Sequence, residues 1–203
     1  MIFNKNLLLA TTILLVSGCA TIMPPTSPPT NSNINQQHLG TLANIKAFSL
    51  KGRLGVVTNP RGFSGGIEWQ HQTSSDNIDI FSPVGGKVAN IAKNASGVTL
   101  TSQDGHTIKA NDAESLTETT LGWRLPLNGL NDWAIGRPTA SKIEASSWDE
   151  QGRLLTLKQD GWDISFDNYA DNNGVFLPGK TVLKSEKVNL KLLIEKWVGV
   201  TNQ

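Results

Sequence analysis

The sequence predicts a mainly β protein: a strongly curved antiparallel sheet of about eleven short strands, apolar on one face and partly closed by two small helices. Three observations predict it. Apolar residues recur with period two over most of the chain from residue 47 onward. Tight-turn sequences punctuate those runs at short intervals, as they do between antiparallel strands. Helical periodicity is confined to two short windows in the middle.

The alternation is clearest at the start of the β region. Phe48, Leu50, Leu54 and Val56 alternate with Ser49, Lys51, Arg53 and Gly55, and Phe63, Ile67 and Trp69 alternate with Ser64, Glu68 and Gln70. Further strands are expected at 77–81, 87–93, 98–102, 107–110, 142–147, 154–159, 162–166, 180–184 and 188–194. Gln103-Asp104-Gly105, Glu150-Gln151-Gly152, Asp160-Gly161 and Asn172-Asn173-Gly174 supply turns between them. The first helix starts near Asn111 or Asp112, with Asn111 and Glu114 at capping-box spacing and Gly122 available to end it. Its less polar side is Ala113, Leu116, Thr120 and Leu121. The second has Pro126 at its first position, Leu127, Leu130 and Ala134 on one side with Trp133 beside them, and Gly136 behind. A sheet of this size curls, and its concave side encloses volume. Periodicity does not say whether side chains fill that volume or leave a cavity.

The N-terminus carries a targeting signal. Lys5 precedes an apolar run from Leu7 to Val16. That run is shorter than the roughly 20 apolar residues a bilayer-spanning helix needs and fits the apolar region of a signal peptide. Leu15-Val16-Ser17-Gly18-Cys19 looks like a bacterial lipobox, in which small residues admit the peptidase and the thiol accepts a diacylglyceryl group. Cys19 is the only cysteine, so no disulfide framework explains it. Residues 1–18 are therefore expected to be a signal peptide. After cleavage Cys19 would carry S-diacylglycerol and an N-acyl chain, which together anchor durably where one chain binds marginally. Ala20, where an Asp tends to retain lipoproteins in the inner membrane, resembles an outer-membrane address. Residues 19–38 are expected to form a flexible tether: Pro24-Pro25 and Pro28-Pro29 lie among Ser, Thr and Asn, and such a composition buries little apolar surface. Residues 39–203 are expected to form the folded domain.

Charge and motifs narrow the function. Lys5 is the only ionisable side chain before Cys19, leaving 17 basic and 17 acidic residues after it. No basic field is available for a phosphate backbone, so nucleic-acid binding is not expected. Gly62-Phe63-Ser64-Gly65-Gly66 matches the nucleophile elbow of serine hydrolases, but that motif needs a helix after it, and Ile67-Glu68-Trp69-Gln70 reads as strand. His38, His71 and His106 lack paired spacing, so neither a metal nor another cofactor is expected. The chain does not read as an enzyme.

Several segments, taken in order, resemble the LolB family of Gram-negative outer-membrane lipoprotein receptors. They are the lipobox, the Pro-rich tether, Leu50-Lys51-Gly52-Arg53-Leu54, Ile67-Glu68-Trp69-Gln70-His71, Ser82-Pro83-Val84-Gly85, Leu125-Pro126-Leu127 with Trp133, Gly161-Trp162 and Leu177-Pro178. The resemblance implies an unclosed (half) β-barrel with short helices covering its mouth and an apolar cavity. It implies a monomer that receives the acyl chains of triacylated lipoproteins from the periplasmic carrier LolA and inserts the cargo among phospholipids in the inner leaflet of the outer membrane. Leu50, Leu54, Ile67, Trp69, Ile78 and Ile80 are the expected cavity walls, closed by Leu130 and Trp133. Ser82-Pro83-Val84-Gly85 fits a type I turn with Val84 at its tip. The family has an apolar residue, commonly Leu, on a protruding loop that promotes insertion, and Pro83, Val84 and Gly85 match it with a smaller tip. The alternative is a scaffold lipoprotein with a filled barrel that binds a periplasmic protein.

Overall fold

The computed structural model describes residues 32–59, 62–121 and 124–202. The expected signal peptide, Cys19 and the Pro-rich segment lie outside the described residues.

An 11-stranded antiparallel sheet dominates. The first meander runs through β1 (Ile45–Thr58), β2 (Gly62–Gln72), β3 (Ser75–Phe81), β4 (Lys87–Asn94), β5 (Gly97–Ser102) and β6 (Thr107–Ala110). Then come α2 (Ala113–Leu121) and α3 (Leu127–Ala134), preceded in the chain by α1 (Ser32–Ala43). The second meander comprises β7 (Ile143–Trp148), β8 (Leu154–Gln159), β9 (Trp162–Asp167), β12 (Lys180–Lys184) and β13 (Val188–Asn202), with β10 (Ala170–Asn172) and β11 (Val175–Leu177) forming a separate hairpin. The sheet order is β6-β5-β4-β3-β2-β1-β13-β12-β9-β8-β7. The edge strands β6 and β7 do not pair, so the barrel is open. The chain between them is the α2–α3 segment, so the two helices span the gap between the edges and cover the concave face.

The two long central strands, β1 with 14 residues and β13 with 15, hold the meanders together. Their ladder slips where Ser49 and Leu50 face Gly199 and Trp197, and where Lys51 and Gly52 face Lys196 and Ile194. Val198 and Glu195 are thus extra residues on β13, and such bulges bend and twist a strand. At the second, a Cβ on Gly52 would lie 2.0 Å from the Leu193 carbonyl oxygen, and one on Gly65 in β2 would lie 2.0 Å from that of Phe81. Only glycine permits these close approaches, and with the bulges they let the sheet coil. The bulges also break the alternation after Ile194, which is why β13 extends to Asn202 and not to the expected 194.

Three further differences have physical causes. The expected tether, residues 19–38, overlaps a helix: Ser32–Ala43 is α1, which buries Leu42 and Asn35. The prolines stop at Pro29, so nothing after it forbids a helix, and the Arg137 guanidinium donates to the Leu42 carbonyl at 2.7 Å, satisfying an orphan acceptor of the last turn. The cap of α2 is Asp112, which accepts the Ser115 N–H at 2.7 Å, and not Asn111. Asn172-Asn173-Gly174 closes the β10–β11 hairpin, with Asn173 at φ 55° and Gly174 at φ 87° as a two-residue left-handed turn requires. Its strands of three residues are too short to show a period.

Candidate functional site

Beneath the first meander the concave face is hollow. A cavity of about 410 Å³ lies between β1–β5 and the helices. β1 contributes Leu54, Val56 and Thr58; β2 contributes Gly62, Phe63, Ile67 and Trp69; β3 contributes Ile78 and Ile80. β4 and β5 add Val88, Ala89, Ile91 and Leu100, and the cover is Thr117 of α2, Leu125 just before α3 and Leu130 within it, with Leu192 from β13. Among the described residues no charged side chain lines it. The inner end is buried, with Trp69 at 0% and Ile78 at 3% exposure, whereas Phe63 is 38% exposed. The mouth therefore lies at the sheet end that carries the β1–β2 and β3–β4 turns.

Of the eight expected wall residues, Leu54, Ile67, Trp69, Ile78, Ile80 and Leu130 meet around this space. Leu50 and Trp133 do not. Leu50 is 1% exposed and packs beyond the inner end, opposite Trp69 in the β1–β2 ladder. Trp133 faces the second meander, where its indole donates to Gln159 Oε1 at 3.1 Å. Periodicity sets the apolar face on which each lies but not its position along it. Val56 and Phe63, absent from the expected walls, share the alternation of their wall neighbours, and the walls from β4 and β5 are absent from that expectation because Ala89, Ala92 and Thr99 dilute the apolar period.

Polar groups brace the inner wall. The Trp69 indole donates to Asp76 Oδ1 at 2.9 Å, and His71 Nδ1 lies 2.7 Å from the same oxygen. Lys93 Nζ stands 3.5 Å from Asp76 Oδ2 and donates to Asn128 of α3 at 2.6 Å. Burial pushes the Asp76 carboxyl up, but the hydrogen bonds from His71 and Trp69 and the charges of His71 and Lys93 outweigh it and hold the group below the usual carboxylate range.

The β3–β4 turn stands at the mouth end. Gly85 N–H donates to Ser82 O at 2.9 Å, Ser82 N–H to Gly86 O at 2.7 Å, and Gly85 has φ 96°. Pro83 is exposed and Val84 is 94% exposed, the most exposed large apolar residue described. Ser64 lies inside β2, followed by more strand, so there is no nucleophile elbow. Among the described residues no group of His, Cys, Asp or Glu is placed to hold a metal ion, and no helix is long and apolar enough to cross a membrane.

Fold and cavity together define a class: an open antiparallel barrel enclosing an apolar pocket beneath a helical cover. Residues 46–197 match the family described as outer membrane lipoprotein LolB. The chain is 36% identical to the outer-membrane lipoprotein LolB of Nitrosomonas europaea, covering 81% of this chain and 78% of that one. It is 31% identical to the outer-membrane lipoprotein LolB of Nitrosococcus oceani, covering 91% and 92%. Its backbone is also similar to that of a DUF1329 family protein from Desulfovibrio piger, with a TM-score of 0.50 and 6% identity over 88% of this chain and 94% of that one, a likeness of fold alone. The chain belongs to the LolB family of outer-membrane lipoproteins.

Proposed function

We propose that this protein receives the acyl chains of lipoproteins from the periplasmic carrier LolA and passes them into the inner leaflet of the outer membrane. The observation that carries this reading is the unfilled apolar cavity, whose mouth shares one end of the sheet with the exposed Val84. Exposing hydrocarbon to water costs about 0.8 kcal/mol per methylene, so a triacylated cargo released into the periplasm would cost on the order of 30 kcal/mol. A covered route is required, and a cavity with no charged side chain on its described walls covers part of that hydrocarbon.

Transfer needs no nucleotide on this reading. The cavity binds the chains better than the carrier does, and the bilayer binds them better than the cavity. Signal-peptide removal before Cys19 and acylation of that residue hold the domain at the membrane, and Val84 brings the mouth against lipid. Catalytic groups have no place in the scheme.

The test is a transfer assay. The mature chain carrying Cys19→Ala is mixed with LolA loaded with a lipoprotein, and the cargo is followed by pull-down. The expected result is movement of the lipoprotein to this chain. A folded protein that takes neither the cargo nor an apolar fluorescent probe would overturn the proposal and favour a scaffold.

A further inference from the structure

The cavity matches one hydrocarbon chain in volume and in length. An apolar cavity of about 150 Å³ accommodates benzene, roughly 25 Å³ per carbon, so at that density this space holds about sixteen carbons. Phe63 and Trp69, at the two ends of the wall from β2, are six residues apart, about 20 Å along a strand. One leaflet of a bilayer core is about 15 Å deep, the length of one membrane acyl chain. A triacylated lipoprotein carries roughly three such chains, more than the cavity holds as it stands.

The polar groups on the wall are already committed. Thr117 Oγ1 donates to the Ala113 carbonyl at 2.8 Å and accepts the Leu125 N–H at 2.7 Å. The Trp69 indole is held by Asp76, and Thr58 also has a partner. Among the described residues a head group would find no uncommitted side-chain group on the wall, and an unpaired polar group in such surroundings is strongly disfavoured. It must stay at the mouth, in water.

We infer that the covered cavity is a single-chain site that binds one acyl chain of about sixteen carbons from any monoacyl amphiphile, fatty acid or lysophospholipid, without reading its head group. The inference deepens the acyl-chain role proposed above and rests on it. It makes single-chain lipids ligands in their own right, able to compete with lipoprotein cargo for the same space.

The experiment titrates the mature Cys19→Ala chain with saturated fatty acids and lysophosphatidylcholines of graded length, each below its micelle threshold. Fluorescence from Trp69 on the cavity wall reports binding, and native mass spectrometry counts bound chains. The expected result is one chain per protein, with affinity rising about fourfold per methylene and levelling off near sixteen carbons. Palmitate and its lysophosphatidylcholine should agree within about threefold. Ala89→Trp and Val88→Trp, two separate plugs in the half-exposed outer wall, should each weaken both ligands. Two or more chains per protein, a head-group preference of about tenfold or more, or unchanged binding in both variants would overturn the inference. Lipoprotein transfer is measured on the same preparation: transfer without monoacyl binding removes this inference and leaves the proposed function, whereas loss of both removes both.

Discussion

The two meanders carry equally apolar concave faces, yet one is hollow and the other is solid. Under β8, β9 and β12 the space is closed: Leu154, Leu157, Ile164 and Leu183 are at most 2% exposed, and Trp133 is wedged against Gln159. Under β1–β5 the walls are just as apolar, but about 410 Å³ stays open. The difference comes from the cover and not from the sheet. The amphipathic helix α3 turns its largest side chain toward the second meander, and among the described residues of the cover only Leu125, Leu130 and Thr117 reach over the first.

The largest expected effect tests that asymmetry. Trp133→Ala should lower unfolding stability by about 3–5 kcal/mol, because it empties a packed site that cannot collapse. It also strips the 0%-exposed Gln159 of one partner. Ile78→Ala, on the cavity wall, should fall near 2 kcal/mol, the low end for such truncations, because one side of Ile78 already faces open space. Urea denaturation measures both. Equal losses would mean the two halves are packed alike.

Enlarging a residue reverses the comparison. Leu157→Trp forces bulk into the solid half and should cost about 1–3 kcal/mol or more. Ile80→Trp projects into the cavity and should change stability by less than about 1 kcal/mol while abolishing uptake of an apolar fluorescent probe. A severe loss of stability in Ile80→Trp would show that the space is not there to be filled.

How much of this was legible in the sequence divides along the same line. Alternation at Leu54, Ile67, Trp69, Ile78 and Ile80 gave the strands and their inward faces, because period two is a local property of a half-buried strand. It could not separate Leu54, which lines the cavity, from Leu50, which is packed behind it, since that depends on what stands opposite. Helical period puts Trp133 beside the apolar side of α3 but does not say which half it covers, for the same reason: a helix face is local, and its partner is not. The start of α1 was hidden by composition, because Ser32 to His38 is as polar as the Pro-rich stretch before it while Leu42, which secures the helix, lies beyond. Gly52 was read as part of a strand motif. Its closeness to Leu193 depends on a residue more than a hundred positions away.

A smaller asymmetry is electrostatic. The polar brace of the solid half is neutral: Gln159 bonds to Trp133 and to the Thr139 N–H. The brace of the hollow half is ionised Asp76, holding Trp69 and His71. Because the Asp76 carboxyl sits below its ordinary value in the folded protein, its contribution is complete above the unfolded-state value near 3.9 and is lost as pH falls through the folded one. Acid titration should therefore loosen the hollow half first. Fluorescence of wild type and Trp69→Phe isolates the Trp69 signal, which should move before far-ultraviolet circular dichroism does. Asp76→Asn should abolish that early step, and coincident transitions in the wild type would remove Asp76 from the account.

The smallest effect falls on a residue that belongs to neither packing regime. Val84 is 94% exposed and touches no core, so substitutions there should shift stability by less than about 0.5 kcal/mol. Its proposed contact is with lipid, and burying one Val side chain yields only about 1.5 kcal/mol, enough to orient the mouth and too little to anchor the protein. Val84→Leu adds one methylene, worth about 0.8 kcal/mol, and should raise delivery to liposomes by up to about fourfold. Val84→Glu removes the apolar contact and places a charge at the tip, so it should leave uptake from the carrier intact while lowering delivery by about tenfold or more. Measuring uptake and delivery on the same protein separates the cavity from the loop. If both variants deliver cargo like the parent, the turn is an ordinary exposed hairpin, and the mouth meets the membrane by some other part of its rim.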